Sequence, residues 1–366
     1  MRTTFLLSKD PSYESTGDVT MAKLVMKLAR DSHSVDAICL SPRPASTKDG
    51  YRRVFKSAPS PLPLLRNALR NRRSLVHCRF LLDDLVAAVS DTDTDLFVAD
   101  HSFMAEAAIA ALGADSATKL AVSTVVPEPL IWRATRGVIG RLEAPRIARD
   151  EARVARAART VGSYDLEESE YFANLGVKRS YWLDVTLPSN VRVPVESTGK
   201  RLVFLGDRRW APNHEALLQL LEWWPQISAG IPDAELCIVG APDPDVTLPE
   251  LPAGVKDVGF VDDLDEMMST CRALAAPIRT GGGVRVKILD AVSRGLPVVG
   301  TTAAVGSLGD LLGIAKLDAP DTFIEQCRRY LLDRDAAAAE GRRLYEINTD
   351  RWNDRLPHKT VGEWLS

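Results

Sequence analysis

The chain has 366 residues, of which 45% are hydrophobic, and a formal net charge of −3. This length suffices for two domains with buried cores, and the slight negative charge argues against a general nucleic-acid-binding protein. Five scattered cysteines, without a CxxC pair or a histidine at ligand spacing, argue against a disulfide framework or a zinc site and indicate a cytoplasmic protein. No segment approaches the roughly 18 apolar residues of a membrane-spanning helix, and the start of the chain fits a strand better than a signal peptide.

The first half of the chain alternates strand and helix signals. Strand-like runs are TTFLLS, SVDAICLS, DLFVAD and KLAVSTVV, with helical patterns from Thr20 to Arg30 and from Met104 to Leu112. This alternation predicts a parallel, doubly wound α/β sheet, whose ligands lie beyond the carboxyl ends of the strands. The candidate ligand-binding segments are therefore the loop Ser8 to Asp18, the pair Asp100 and His101, and Val126 to Arg133.

The segment from Arg43 to Arg79 differs in charge from the rest of the chain. It holds 10 lysines and arginines against one acid, Asp49, interleaved with prolines and with Tyr51 and Phe55. One interpretation is a solvated insertion of helix and loop. The other is a docking surface for an anionic acceptor or for acidic lipid headgroups on the inner face of a membrane.

The second half begins after a long helical pattern, Arg141 to Arg159, and a linker from Ser189 to Lys200 that carries prolines and a glycine. Arg201 to Leu205 is predicted to be a strand and Gly206 its turn, followed by a helix with proline near its start. Further strand and helix patterns follow in IPDAELCIVG, VKDVGFVDD and LDEMMSTCRALAAP. The tail, Asp350 to Leu365, is predicted to form the closing helix.

A triple glycine after an apolar strand is the most informative motif of the chain. Gly281, Gly282 and Gly283 can adopt positive φ and let a ligand approach the backbone, and a helix is predicted to start near Val284. The free N–H groups and the dipole at a helix start favour a bound phosphate. The alternative is a plain glycine turn.

Charged residues follow the glycines at spacings that favour one ligand. Arg285 and Lys287 can add positive charge beside a phosphate, and Asp290 shares a helix face with Lys287. The alternative is an exposed ion pair between Lys287 and Asp290.

The run GGGVRVKILDA followed by GLPVV resembles the nucleotide-sugar site of the large retaining family of GT-B glycosyltransferases, and KRLVFLGDRRWAPNHEALLQLLEWWPQI resembles the opening strand, turn and helix of the same domain. The resemblance covers roughly residues 200 to 310 strongly. It implies an α/β GT-B fold with two Rossmann-like domains facing a cleft. The expected domains are residues 1–190 together with a returning C-terminal helix, 350–366, and residues 200–349.

The resemblance implies that the second domain binds the sugar donor. Gly281, Gly282, Gly283, Val284, Arg285 and Lys287 would surround the diphosphate, and Asp290 would bind the ribose hydroxyls in place of the family's glutamate. The turn at Gly206 would present Arg208 or Arg209 to the phosphates. Phe260 and Val261 would hold the base, or would simply pack in the core.

In the first domain the resemblance implies contacts from Gly17 to the diphosphate and from Glu128 and Arg133 to acceptor or donor sugar. His101 is a candidate substrate contact because it lies at the carboxyl end of a predicted strand, where ligands bind in such sheets. The alternative is a structural role. Besides Asp290, the sequence departs from the family at three further points: Gly282 replaces the first glutamate, Thr20 replaces an arginine, and a histidine is missing near Thr124.

The expected activity is hexosyltransferase-type transfer from a nucleoside-diphosphate sugar to an acceptor hydroxyl, with retention of anomeric configuration. The acceptor is a glycan, a lipid-linked molecule or a small molecule. No cofactor and no metal are expected, because cationic side chains can neutralise the diphosphate. The alternatives are a nucleotide-sugar epimerase of the same fold and a non-catalytic GT-B-like subunit.

Overall fold

The computed structural model describes residues 1–14 and 16–366, so Ser15, within the candidate loop Ser8 to Asp18, lies outside the described residues. The chain forms two compact units. The first comprises Met1–Val185 with Leu356–Ser366, and the second comprises Thr186–Arg355. Each unit contains one parallel sheet with helices around it, as the alternating pattern predicts.

The sheet of the first unit has seven parallel strands in the order β3-β2-β1-β4-β5-β6-β7. Its strands are β1 (Arg2–Leu7), β2 (Ser34–Ser41), β3 (Arg52–Phe55), β4 (Leu96–Asp100), β5 (Leu120–Thr124), β6 (Thr160–Ser163) and β7 (Ser180–Trp182). The helices between them are α1 (Gly17–Ala29), α2 (Pro61–Asn71), α3 (Leu75–Phe80), α4 (Asp83–Ser90), α5 (Ala105–Leu112), α6 (Ser116–Lys119), α7 (Glu128–Thr135), α8 (Gly137–Ala157) and α9 (Leu166–Asn174).

The central strands of this sheet are covered on both faces. Every residue of β4 and β5 is buried, which explains why their first residues, 96–99 and 120–122, are all apolar instead of alternating with polar ones. The strand order reverses between β1 and β4, which pair directly from Thr3 to Leu6. The crevice at the carboxyl ends of these two strands is where ligands bind in such sheets.

The sheet of the second unit has five parallel strands in the order β10-β9-β8-β11-β12. Its strands are β8 (Arg201–Leu205), β9 (Glu235–Val239), β10 (Val255–Gly259), β11 (Ala273–Ala276) and β12 (Val298–Gly300). Its helices are α10 (Ala211–Ser228), α11 (Leu264–Ser269), α12 (Val286–Ser293), α13 (Thr302–Val305), α14 (Leu308–Leu312), α15 (Pro320–Leu332) and α16 (Arg334–Asn353). Here the strand order reverses between β8 and β11.

Aromatic side chains anchor the helices of the second unit. Trp224 of α10 is fully buried, and its indole N–H donates to the carbonyl of Ala253 at 2.8 Å. Trp223 packs on Phe323 of α15 with ring centroids 5.3 Å apart. The two tryptophans therefore hold α10 to α15 and to the loop before β10.

The last helix, α17 (Leu356–Leu365), packs in the first unit, although it follows the second unit in the chain. Its Trp364 is fully buried, and Thr360 accepts a hydrogen bond from the backbone N–H of Asp184 at 3.1 Å. Gly162 of β6 makes room for the tryptophan, because a Cβ there would lie 3.0 Å from the indole ring.

The basic segment is not only an insertion of helix and loop. It contributes β3, which pairs in parallel with β2 from Arg52 to Phe55 and forms one edge of the sheet. The Arg53 side chain is fully buried and pairs with Asp10 at 2.8 Å, so one positive charge of the segment is neutralised inside the fold. The many charged residues of the segment kept this strand from being predicted.

In the part of the chain that the structure describes, no helix has the length and apolar character to cross a membrane.

Candidate functional site

In the second unit the predicted glycine motifs lie at the carboxyl ends of the strands where the order reverses. Gly206 follows β8, and the triple glycine lies just beyond the neighbouring β11. Gly240, after β9, has φ 132°, and a Cβ on it would lie 2.1 Å from the carbonyl oxygen of Gly206. The loops after β8 and β9 therefore approach each other so closely at this edge of the sheet that a side chain at position 240 would not fit.

The triple-glycine loop is longer than predicted. Only Gly283 of the three glycines has positive φ, 66°, and Val284 still belongs to the loop because α12 starts at Val286. The predicted helix start near Val284 is thus wrong by two residues. Arg285 lies at the N-cap of α12, where its guanidinium donates to the carbonyl of Gly283.

Lys287 lies in the first turn of α12, and its environment is unusual for an ammonium group. Its Nζ donates to Asn213 Oδ1 at 2.6 Å and lies 5.9 Å from the ring centroid of Phe204. Burial lowers the pKa of Lys287 to about 7. An anion bound beside this amine would favour its charged form.

Asn213 is a site residue that the sequence analysis missed. Its amide lies against Gly206, where a Cβ would come within 2.7 Å of it, and its Nδ2 donates to the carbonyl of Asp207 at 2.9 Å. Asn213 therefore links the turn after β8 to Lys287 on α12. The sequence could have indicated this role, because Asn213 lies in the first turn of the helix that follows the glycine turn after β8. A residue in that position lies at the carboxyl edge of the sheet, where ligands bind.

Asp290 does not form the ion pair with Lys287 that was the alternative to a ligand-binding role. Its Oδ1 accepts from Arg294, which also donates to Asp265 at 2.6 Å. Burial raises the pKa of Asp290, and Arg294 opposes the shift. The second oxygen, Oδ2, is buried without a hydrogen-bond partner among the described residues, so it can accept from a ligand.

The other predicted donor contacts divide into buried and exposed groups. Arg208 is buried and pairs with Asp257 at 2.7 Å, whereas Arg209 is largely exposed and pairs with Asp207 at 2.6 Å. Both arginines thus already have carboxylate partners. Phe260 is 65% exposed after β10, so core packing, the alternative for this residue, is wrong.

Val261, next to Phe260, is half-buried. One cation was overlooked in this region: Arg279 is exposed in the loop between β11 and the triple glycine. Arg279 thus belongs to the same connection between β11 and α12 as the three glycines.

In the first unit, His101 lies at the carboxyl end of β4, beside the reversal of strand order. It is buried and has φ 92°, a value that is rare for a residue with a side chain. Its Nδ1 lies 2.5 Å from the carbonyl oxygen of Asp100, and its ring stacks on Phe103 with centroids 4.8 Å apart. Neighbouring groups thus fix the ring orientation.

Gly17 is exposed at the start of α1, beside a cation that the sequence analysis overlooked. Lys9 pairs with Asp18 at 2.8 Å and donates to Thr16 Oγ1 at 3.0 Å. Burial acts to raise the pKa of Asp18, but Lys9 and His101 outweigh it and the pKa is lowered. The loop after β1 therefore carries a cation, Lys9, that is already paired with Asp18.

Glu128, the first residue of α7, joins the surroundings of His101. Burial raises the pKa of Glu128, and His101 opposes the shift. The buried Glu151 of α8 has a pKa well above the ordinary value because of burial and the nearby Glu128. Arg133, by contrast, is exposed on α7. Glu128 and His101, which the sequence analysis named separately, thus lie close enough to interact electrostatically.

A metal site is not evident in the described part of the chain. Across residues 1–14 and 16–366, no group of three or more histidine, cysteine, aspartate or glutamate side chains could hold an ion.

Comparison with known proteins identifies the fold. Residues 199–333 match the family described as Glycosyl transferases group 1. No curated protein matches the chain in sequence. This matched segment contains the glycine loop, Asn213, Lys287 and Asp290, and it supports glycosyl transfer as the chemistry of the second unit.

Solved structures resemble the whole chain. Sucrose-phosphate synthase from Thermosynechococcus elongatus has 14% identity and a TM-score of 0.71, with 99% of this chain and 98% of that chain covered. WaaG, a glycosyltransferase involved in lipopolysaccharide biosynthesis, has 14% identity and a TM-score of 0.64 with both chains fully covered. TarM of S. aureus, solved with UDP, has 8% identity and a TM-score of 0.67, again with full coverage. The fold is therefore GT-B.

Proposed function

We propose that the protein is a retaining glycosyltransferase that moves a hexose from a nucleoside-diphosphate sugar to an acceptor hydroxyl. One observation carries the proposal. At the reversal of strand order in the second sheet, a glycine loop lies beside a buried amine, Lys287, and beside a carboxylate oxygen of Asp290 that has no hydrogen-bond partner among the described residues. The family match of this segment and the UDP bound to the GT-B protein TarM support a nucleotide ligand.

In this proposal the diphosphate lies on the loop of Gly281, Gly282 and Gly283. Backbone N–H groups at the start of α12 and the ammonium of Lys287 stabilise the negative charge that develops on the departing nucleoside diphosphate. Asn213 holds Lys287 in place through the 2.6 Å hydrogen bond. The negative charge of the ligand keeps the amine protonated although burial favours the neutral form.

The nucleoside is proposed to lie toward Asp290 and Phe260. A ribose hydroxyl can donate to Asp290 Oδ2, and a base can stack on the exposed ring of Phe260. Arg208 and Arg209 are less suited to bind phosphate, because a ligand would have to replace a carboxylate partner of each. The exposed Arg279 is the better candidate.

The first unit is proposed to bind the acceptor and the transferred sugar near His101 and Glu128. Because burial raises the pKa of Glu128, its carboxyl can be protonated and donate a hydrogen bond to a sugar oxygen. His101 offers its second ring nitrogen to the same ligand. The leaving phosphate takes the proton of the acceptor hydroxyl, so this mechanism requires neither a protein base nor a metal.

A panel of UDP-, GDP-, ADP- and TDP-sugars tests the proposal, because a ligand that binds only the folded state raises its melting temperature. The sugar that stabilises the protein most is then incubated with candidate acceptors, with and without EDTA, and the anomeric configuration of the product is read by NMR. Lys287→Ala should abolish the stabilisation. Lys256→Ala, which removes an exposed lysine from β10, is the matched control.

The outcomes separate the alternative functions. Epimerised sugar formed from donor alone would favour an epimerase, and tight binding without any turnover would favour a non-catalytic subunit. Absence of nucleotide binding, or binding unchanged in Lys287→Ala, would refute the donor site. Inversion at the anomeric carbon would refute retention.

A further inference from the structure

Helix α2 in the basic segment exposes an apolar stripe. Leu62, Leu65 and Leu69 are 80%, 46% and 64% exposed and follow each other at i, i+3 and i+7, so they share one face. Ala68 is the only residue of the helix that is buried. An amphipathic helix of a globular protein normally turns such a stripe inward, and α2 turns it to solvent.

The charges on helix α2 itself are all positive. Helix α2 contains no acidic residue, and Arg66, Arg70 and its C-cap Arg72 are exposed. Other arginines of the basic segment serve the fold, as Arg53 does through Asp10 and Arg52 through Asp91. The arginines on α2 therefore account for much of the segment's outward positive charge.

Helix α8 carries a second exposed stripe. Val138, Ile139 and Leu142 are 69%, 62% and 67% exposed, and they lie opposite the face that α8 buries, which includes Ala144 and Ile147. The N-terminal turns of α8 follow β5 through α7, and α2 follows β3. Both stripes thus belong to connections that leave the carboxyl edge of the sheet.

Two hydrogen bonds join the helices. Arg149 donates to the carbonyl of Arg72 and Arg146 to the carbonyl of Arg73, both at 2.6 Å. On α8, Arg146 and Arg149 follow Leu142 by one and two helical turns on its exposed side. The end of α2 is therefore fixed to the side of α8 that carries the second stripe.

We propose that this α2–α8 surface, formed by the six apolar residues and by Arg66, Arg70 and Arg72, docks on a bilayer that contains anionic lipids. An interfacial helix buries its apolar face among the headgroups, while arginines attract the acidic lipids. Each of the two helices exposes three large apolar side chains, and exposed apolar patches on a protein surface mark interaction sites. The positive charge of these arginines favours a bilayer with anionic lipids over a bilayer of neutral lipids.

Flotation with vesicles tests the inference without any sugar donor or acceptor, so its result is independent of the proposed activity. Phosphatidylcholine vesicles with about one third phosphatidylglycerol should bind the protein, and pure phosphatidylcholine vesicles should bind it far less. Arg66→Gln with Arg70→Gln should weaken binding about fivefold per arginine. Lys23→Gln with Lys27→Gln, two exposed lysines of α1, should have a much smaller effect.

The apolar stripe has its own variants. Leu62→Ser with Leu69→Ser should weaken vesicle binding at least tenfold and leave the melting temperature unchanged, because both side chains are exposed. Val191→Ser with Leu332→Ser, two exposed apolar residues of the second unit, is the matched control. Equal binding of both double variants, or binding that does not weaken as salt rises, would overturn the inference. Self-association lost in the leucine variant without any vesicle binding would assign the surface to a second copy instead.

Discussion

The pH dependence of nucleotide affinity is the sharpest test of the lysine in the glycine site. Burial lowers the pKa of Lys287 from 10.5 to about 7 in the free protein. At pH 8 about ten amines are then neutral for each ammonium, and at pH 9 about a hundred. If the diphosphate binds the ammonium form, each pH unit above 7 costs about a factor of ten in affinity, or ~1.4 kcal/mol.

Isothermal titration with the preferred nucleoside diphosphate between pH 7 and 9 measures this effect. The phosphate is fully ionised over most of this range, so the slope reports on the protein. Lys287→Arg keeps its charge at every pH and should show a flat profile, while Lys287→Met should bind weakly with a flat profile. A constant Kd in the natural protein, or an equal slope in Lys287→Met, would refute the assignment.

Stability without ligand provides an independent measurement of the same pKa. The unfolded amine keeps its proton up to pH 10.5 and the folded one up to about 7, so the unfolded chain binds more protons between these values. Stability should therefore rise with pH in this window, by at most ~1.4 kcal/mol per unit, relative to Lys287→Met. Urea unfolding at pH 7 and pH 9 would show the difference.

Four further substitutions, at three positions, test the surroundings of the site and the fold. Asn213→Asp places a carboxylate beside the amine of Lys287 and raises the pKa of that amine, so the loss of nucleotide affinity should begin at a higher pH. Asn213→Ala should lower the affinity about tenfold at pH 7, as measured by calorimetry. Gly240→Ala should lower the free energy of unfolding in urea by more than the about 1–3 kcal/mol expected for an unfavourable φ alone, because the new Cβ would also clash with the carbonyl of Gly206. A smaller loss would contradict the close approach of the two backbones. Trp364→Ala should cost about 3–5 kcal/mol, and an unchanged unfolding midpoint would show that α17 does not close the first unit.

The family-like motifs predicted the edge of the second sheet well because their backbone requirements are local. The strand Arg201–Leu205 agrees with the prediction at both ends, and the glycine motifs lie at the reversal of strand order. Side-chain partners could not be predicted in the same way. The sequence offered Lys287 and Asp290 as a pair at helical spacing, but long-range contacts decided otherwise, with Asn213 binding the lysine and Arg294 the aspartate.

The sequence by itself determined the alternation of strands and helices, and with it the two parallel sheets, because apolar periodicity and glycine turns act over a few residues. Only the tertiary structure decided which charges remain available. Residues far apart in sequence bury Arg53 against Asp10 and Arg208 against Asp257. Those pairs depend on which strands become neighbours, a property that no short stretch of sequence contains.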